Sequence, residues 1–243
     1  MIADITGIGW VTAAGMGTAK EHDGFAMTNG LLPKITLDSV QSKAHPYFRR
    51  LDEYSKLGLT AISFALKDSD LFEWNEKRDI GIIASTAYGC LSTDIDYFET
   101  VLSPDRLNPS PALFAYTLPN SFLGEAAIRF GLTGMNFVIS EPVPAGLTSL
   151  QMVLECIASG EIEKMLCGVC DLGCPPMLGT KNNFPPGALF FMLERFHAKD
   201  SFSYGPVGLN IKGRILFNQT EIEDLTSLVQ KCLVRYRAFR DKE

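Results

Sequence analysis

The chain has 243 residues, 46% hydrophobic and 21% charged, enough to build a packed core without disulfide or metal staples. Its net charge of −6 argues against non-specific nucleic-acid binding, which needs a basic surface. No apolar run reaches the roughly 18 residues of a membrane span, and Met1-Ile2-Ala3-Asp4 has no basic segment leading into an apolar one, so no membrane partner and no secretory leader are expected and the expected compartment is the cytoplasm.

Strand-like and helix-like segments alternate along the chain, the pattern of an α/β fold. The first strand is predicted near residues 2–10, around Gly7-Ile8-Gly9, and a polar stretch follows to about Arg50. Residues 51–71 carry Leu57, Leu59, Ile62, Ala65 and Leu66 on one broad face and read as a helix. Residues 79–85 are apolar on both faces, as in a strand covered by helices on each side. Residues 93–102 suggest a short helix, after which Pro104, Pro109 and Pro111 break the pattern.

Residues 119–130 read as a helix opened by Pro119 near its first position and closed by Gly131. Residues 135–140 are expected to form a central strand. Glu141-Pro142-Val143-Pro144 then makes a sharp turn into a helix over residues 145–159, whose apolar face is Leu147, Leu150, Val153, Leu154 and Ile157. A strand is predicted over 164–169, a Gly- and Pro-rich loop over 171–186, and a strand pair from 188–193 and 207–216. The tail, residues 221–240, reads as an amphipathic helix with Ile222, Leu225, Leu228, Val229, Leu233 and Tyr236 inward.

The six cysteines are expected to be reduced and mostly buried. Cys167, Cys170 and Cys174 have C-x-x-C-x-x-x-C spacing. However, residues 165–170 read as a buried strand whose alternate side chains face opposite ways, and no histidine cluster follows at zinc spacing. No metal and no cofactor are expected. His22 and His45 lie in a polar segment and His197 in a charged turn, and none has a visible partner for acid–base work.

Four segments in order resemble the ketosynthase branch of the thiolase superfamily. Ile5-Thr6-Gly7-Ile8-Gly9-Trp10-Val11-Thr12 is similar to the family's first strand, and residues 79–89, ending Thr86-Ala87-Tyr88-Gly89, to its second. Pro119-Asn120, a helix, then Phe130-Gly131-Leu132-Thr133-Gly134 is the most specific match. Residues 187–194 resemble its later Gly-Ala…Glu strand. The resemblance implies the first, N-terminal half of a thiolase-like fold: a mixed sheet with helices on both faces over residues 1–216, with residues 217–243 forming a C-terminal helix packed on it.

In that family a cysteine on the turn after the central strand is the nucleophile, its thiol acidified by the helix behind it. Alignment back from Gly146 and Gly160 puts Val143 there, and valine has no nucleophilic atom. Pro144 biases Val143 towards extended backbone and removes an N–H from the helix start. The sequence is expected to stop after the first half, so the family's two second-half catalytic histidines have no counterpart.

The resemblance therefore implies an inactive, chain-length-factor-like subunit. It would act beside a complete ketosynthase, as a heterodimer, in type II fatty-acid or polyketide synthesis, aryl polyene formation among them. A homodimer that binds acyl groups, or an acyltransferase or hydrolase with a relocated nucleophile such as Ser140 or Cys170, are the alternatives. The family pairs its subunits near the strand before the nucleophile, here Asn136, Phe137, Val138, Ile139 and Ser140.

Other candidates have plainer roles beside the functional one. Glu141 is a general base or a solvated turn carboxylate. Ser149 and Cys174 are reactive groups or structural ones. Phe114, Tyr116 and Phe122 line an acyl tunnel or pack the core. Lys231, Arg235, Arg237 and Arg240 attract an acidic acyl carrier protein or complement the helix end.

Overall fold

A computed structural model describes residues 2–40, 48–102, 109–141, 146–179, 184–195 and 202–242. The first strand, β1 (Ala3–Thr12), is buried along nearly its whole length. Its glycines explain the depth. A Cβ on Gly9 would stand 2.2 Å from the backbone nitrogen of Ala65, so helix α1 (Glu53–Asp68) lies against the strand at backbone distance. Asp52 caps α1, accepting from the Ser55 N–H at 2.9 Å, which satisfies one orphan donor of the first turn.

The polar stretch after β1 contains a strand the sequence does not announce. β2 (Gly15–Thr18) pairs antiparallel with the end of β1. Four residues reading Gly-Met-Gly-Thr show no alternation to detect.

The central strand is β3 (Ile80–Thr86), buried at every position. It lies between β4 (Asn136–Ser140) and β5 (Lys164–Asp171), both parallel to it. β6 (Gly187–Glu194) runs antiparallel to β5 and β1. β7 (Gly205–Leu209), β8 (Ile215–Phe217) and β9 (Thr220–Glu221) extend the sheet beyond β1, in the order β4-β3-β5-β6-β1-β7-β8-β9.

Two expectations are corrected by this order. Residues 136–140 form the edge of the sheet, not a central strand, because β5 rather than a later strand takes the inner side of β3. The segments 188–193 and 207–216 do not pair with each other: β1 lies between β6 and β7, and the second segment is two strands, β7 and β8, paired antiparallel. Partner choice among buried apolar strands is a long-range matter that local pattern does not encode.

Helices cover both faces, as the resemblance implied. On one face α1 and α4 (Ser121–Phe130) pack with Leu57, Ile62, Phe122, Phe130 and Phe190 in one core. On the other, α5 (Leu147–Ser159) and α6 (Leu225–Arg240) enclose a second core that includes Leu150, Ile157, Leu228 and Leu233. In α6 the buried side chains are Leu225, Leu228, Val229, Cys232 and Leu233. Ile222 is buried ahead of the helix, and Tyr236 is half-buried against the same core.

Pro119 does not stand at the first position of α4. Asn120 is the N-cap, and Gly131 closes the helix in left-handed conformation. Helix α2 (Leu91–Leu102) and the short α3 (Pro111–Phe114) lie at the periphery, with Phe98, Leu102, Phe114 and Leu118 about 60% exposed.

Candidate functional site

Reactive groups of parallel α/β sheets collect beyond the carboxyl ends of the strands. Here β3, β4 and β5 end together at Thr86, Ser140 and Asp171, facing the start of α5. The amide of Glu141 donates to the Thr86 carbonyl at 2.8 Å. The Glu141 carboxylate accepts from Ser85 Oγ at 2.5 Å and from Thr148 Oγ1 at 2.9 Å. It therefore bridges β3 and the first turn of α5.

Pro142, Val143 and Pro144 lie outside the described residues, as do His45 and His197. Gly146, the N-cap of α5, has φ 70°, a conformation that suits glycine. A Cβ there would stand 2.3 Å from Leu225 Cδ1, so the first residue of α6 closes over the start of α5.

Behind this turn a second carboxylate does structural work. Asp171 is buried, and its Oδ2 accepts from Thr86 Oγ1 at 2.9 Å and from the amides of Ala87 and Tyr88 at 2.6 and 3.0 Å. Its Oδ1 accepts from the Gly173 amide at 2.7 Å. Asp171 thus ties the chain leaving β3 to the chain leaving β5. Sequence reading passed over it, although a carboxylate closing an apolar strand is a visible signal.

The candidate nucleophiles separate clearly. Ser149 is buried, and its hydroxyl serves the carbonyls of Gly146 and Gly168 at 2.8 and 3.0 Å. Cys170 is buried beside the Tyr54 carbonyl, and burial, reinforced by Asp171, pushes its thiol far up. Cys167 and Cys170 point into the two opposite cores, as strand alternation requires. Cys174 is half-buried. Ser140 is exposed at the end of β4. His22 packs against Trp10, ring centroids 5.6 Å apart. Among the described residues no group of three or more His, Cys, Asp or Glu is placed to hold a metal ion, and no helix is long and apolar enough to cross a membrane.

The three aromatic candidates also part company. Phe122 is fully buried, edge-on to Tyr54 and Phe190, and is core. Phe114 is 61% exposed and stacks on Tyr97. Tyr116 lies in a cavity of about 520 Å³ with Arg50, Ala112, Ala115 and Glu125.

The remaining candidate surface is β4. Asn136 and Ser140 are exposed, and Phe137, Val138 and Ile139 are half-buried. β3 takes one side of the strand, and no strand of the described sheet takes the other. An unpaired edge of this composition is a template for another chain.

A second polar device lies deep at the far side of α1. Asp68 accepts from the Tyr204 hydroxyl at 2.7 Å and from the amides of Ile8 and Lys20 at 2.8 and 3.1 Å. Burial pushes its carboxyl up to about 6, against the lowering effect of these donors. It ties the end of α1 to β1, to the residues just after β2 and to the residue just before β7.

The model of the β-ketoacyl synthase N-terminal domain matches residues 33–183. A 3-oxoacyl-[acyl-carrier-protein] synthase 2 from Vibrio cholerae is 27% identical over 171 residues, 65% of this chain and 41% of that protein. The enzyme of the same name from Vibrio harveyi is 26% identical over 152 residues, 58% of this chain and 36% of that one. The chain thus spans about two fifths of the length of the curated relatives it matches.

Among solved structures, a ketosynthase in complex with its chain length factor from Xenorhabdus doucetiae aligns with TM-score 0.61 at 18% identity, covering 82% of this chain and 81% of that one. The ishigamide ketosynthase/chain length factor aligns with TM-score 0.65 at 15% identity, covering 84% and 62%. These likenesses show a thiolase-like fold covering part of those chains. The match over residues 33–183, more than half of the chain, shows that the chain belongs to the β-ketoacyl synthase family, at its N-terminal domain.

Proposed function

We propose that this chain is a chain-length-factor-like subunit. It pairs with a complete ketosynthase in the cytoplasm and shapes the space for an acyl chain made elsewhere in the complex, in type II fatty-acid or polyketide synthesis. The observation that carries the proposal is β4. It is a β-branched and aromatic edge strand with one side unpaired, in the segment by which the family's subunits meet. Phe98 and Leu102 of α2, Phe114 of α3 and Leu118 after it are exposed apolar residues that add surface a partner could cover. Relatives of similar fold are ketosynthase and chain length factor complexes, and one is a ketosynthase with its acyl-carrier protein.

The absence of chemistry on this chain rests on Val143, which offers no nucleophile, and on its alternatives. Cys170 is buried with a strongly raised thiol, and the Ser149 hydroxyl is engaged with two carbonyls. A relocated nucleophile at Cys170 or Ser149 is therefore the weaker reading, and Ser140, exposed at the end of β4, is the alternative that the adduct test must address.

The test is sedimentation of the unmodified chain, alone and with the ketosynthase that co-purifies with it, combined with hydrogen exchange. The expected result is an obligate dimer, homomeric alone or heteromeric with the partner, burying more than about 2,000 Å², with the amides of residues 136–140 protected by pairing. A stable monomer at micromolar concentration with this strand still protected overturns the pairing.

A further inference from the structure

Residues 19–37 lead from β2 to the short 3-10 turn Asp38–Val40 without a helix or strand of their own. The connection is pinned on both sides and open in the middle. On the near side Phe25 is buried edge-on to Trp10, ring centroids 5.2 Å apart, and its carbonyl accepts from Gln230 Nε2 of α6 at 2.6 Å. Met27 packs beside it on the core enclosed by α5 and α6. On the far side Leu32, Ile35 and Leu37 pack on the opposite core, under α1. Between these pins Thr28, Asn29, Gly30 and Leu31 are exposed, Leu31 by 94%.

This apex carries the single Asn-Gly pair of the chain. Asparagine is among the thermolabile residues, most of all before glycine, which has no Cβ to shield its backbone nitrogen. A fold can suppress that lability by holding the two groups, and here it does not. Among the described residues none hydrogen-bonds to the Asn29 side chain or to the Gly30 amide. Gly30 has φ 153°, and a Cβ there would meet only Ala13 Cβ, at 3.1 Å.

Other asparagines are held. Asn210 Oδ1 accepts from the amides of Lys212 and Arg214 at 2.8 and 3.0 Å, and Asn218 Oδ1 accepts from Arg235 Nη1 at 3.0 Å. The amide after Asn120, that of Ser121, donates to the Leu118 carbonyl at 3.0 Å. Asn136 lies in the β3–β4 ladder. The single Asp-Gly pair, Asp23-Gly24, is in the same connection. Its side chain is held by Arg240 at 3.3 Å, and a carboxylate is a poorer electrophile than an amide.

We propose that Asn29-Gly30 is a self-modification site, at which the folded chain deamidates without an enzyme and part of it becomes isoaspartyl. The Gly30 backbone nitrogen attacks Asn29 Cγ. A bond forms between them, the Cγ–Nδ2 bond breaks, and ammonia leaves with the amide proton. Water then opens the cyclic imide at either carbonyl, giving an aspartyl residue or an isoaspartyl link that lengthens the backbone by one carbon. Both products carry a new carboxylate. Gly30 lies against Ala13, just past the end of β1. β1 is antiparallel to β6, and β6 to β5, so β1 ends on the same side of the sheet as β3 and β5. The new charge therefore appears at the end of the sheet where Glu141 and Asp171 stand.

The experiment incubates the complete folded chain for days at mildly alkaline pH and follows it by ion exchange, intact mass and peptide mapping. Isoaspartyl content is read by methyl transfer from S-adenosylmethionine with an isoaspartate-specific carboxyl methyltransferase. The expected result is a more acidic form, heavier by about one mass unit, modified at residue 29 and containing isoaspartyl as well as aspartyl product. Asn29 should react at least about fivefold faster than any other asparagine, and Gly30→Ala should slow it by a similar factor. Because a Cβ at residue 30 meets Ala13, Asn29→Gln is read beside it. That variant leaves the backbone alone and should abolish the acidic form. Asn29 intact in the folded chain while it reacts in urea overturns the proposal, since the fold would then shield the pair. An acidic form that persists in Asn29→Gln, or that maps to another asparagine, overturns it too. So does an aspartyl product with no methyl-accepting partner, which would mean direct hydrolysis.

Discussion

Individual side chains divide the polar groups of this protein into those that hold the fold and those that face outward. Asp68 is the clearest structural case. Its carboxyl, raised by burial from an ordinary 3.8 to about 6, binds its proton more tightly in the folded chain than in the unfolded one. Its contribution to stability is thus full below about pH 4 and is lost as pH rises through about 6. Two pKa units correspond to about 3 kcal/mol. Urea unfolding between pH 4 and 7 should show this decline, and Asp68→Asn should flatten it. An equal slope in both proteins would refute the assignment. Tyr204→Phe should push Asp68 further up and cost about 1–3 kcal/mol, because it removes the 2.7 Å donor.

The thiols make a second residue-scale prediction. Cys167, Cys170 and Cys232 are fully buried and pushed up by that burial. Burial and the neighbouring Asp94 raise Cys90 to about 12. Alkylation of the folded chain should therefore label Cys156 and Cys174 first. Peptide mapping that finds Cys170 modified early would revive the relocated nucleophile.

At the scale of elements, the packing of α1 on β1 is the joint most sensitive to a single methyl group. Gly9→Ala places a Cβ against the α1 backbone, where no flexible side chain can move aside. Its cost should reach or exceed the upper end of the roughly 1–3 kcal/mol of overpacking. A thermal melt within about a degree of the parent would contradict this contact. The start of α1 depends on Asp52, which accepts from Ser55 N–H and from Thr93 Oγ1 at 2.9 and 2.6 Å, so one side chain joins α1 to α2. Asp52→Ala should cost about 1–2 kcal/mol, whereas Asp52→Asn should retain most of the cap. These element ends were legible beforehand: Gly131 and Gly160 terminate α4 and α5 as left-handed caps, as their positions after apolar runs imply. β2 was not legible, being too short to show a period.

For the whole molecule, the proposed pairing with a ketosynthase follows from sheet order. β4 at one edge faces outward with half-buried Phe137, Val138 and Ile139. The proposed non-catalytic reading predicts no covalent adduct by intact-mass spectrometry after incubation with acyl-CoA or acylated carrier protein. A stoichiometric adduct on any residue would overturn the non-catalytic reading. On the proposed reading Val143→Cys alone should give no condensation, since Pro144 offers no backbone N–H at the helix start.

The amino-acid sequence by itself determined the alternation of strands and helices, the burial of β3 and the helix ends at glycine. Each is written in local periodicity, backbone preference or side-chain chemistry. Only the tertiary structure decided that residues 136–140 form an edge, that β1 inserts between β6 and β7, that Asp171 ties two strand ends, and that Lys231 and Arg235 share one groove with Phe217 and Asn218. The physical reason is the same in each case. Apolar strands are equally willing neighbours until the whole sheet competes for them, and the partners of a buried carboxylate or a helix cation come from segments far away in the chain.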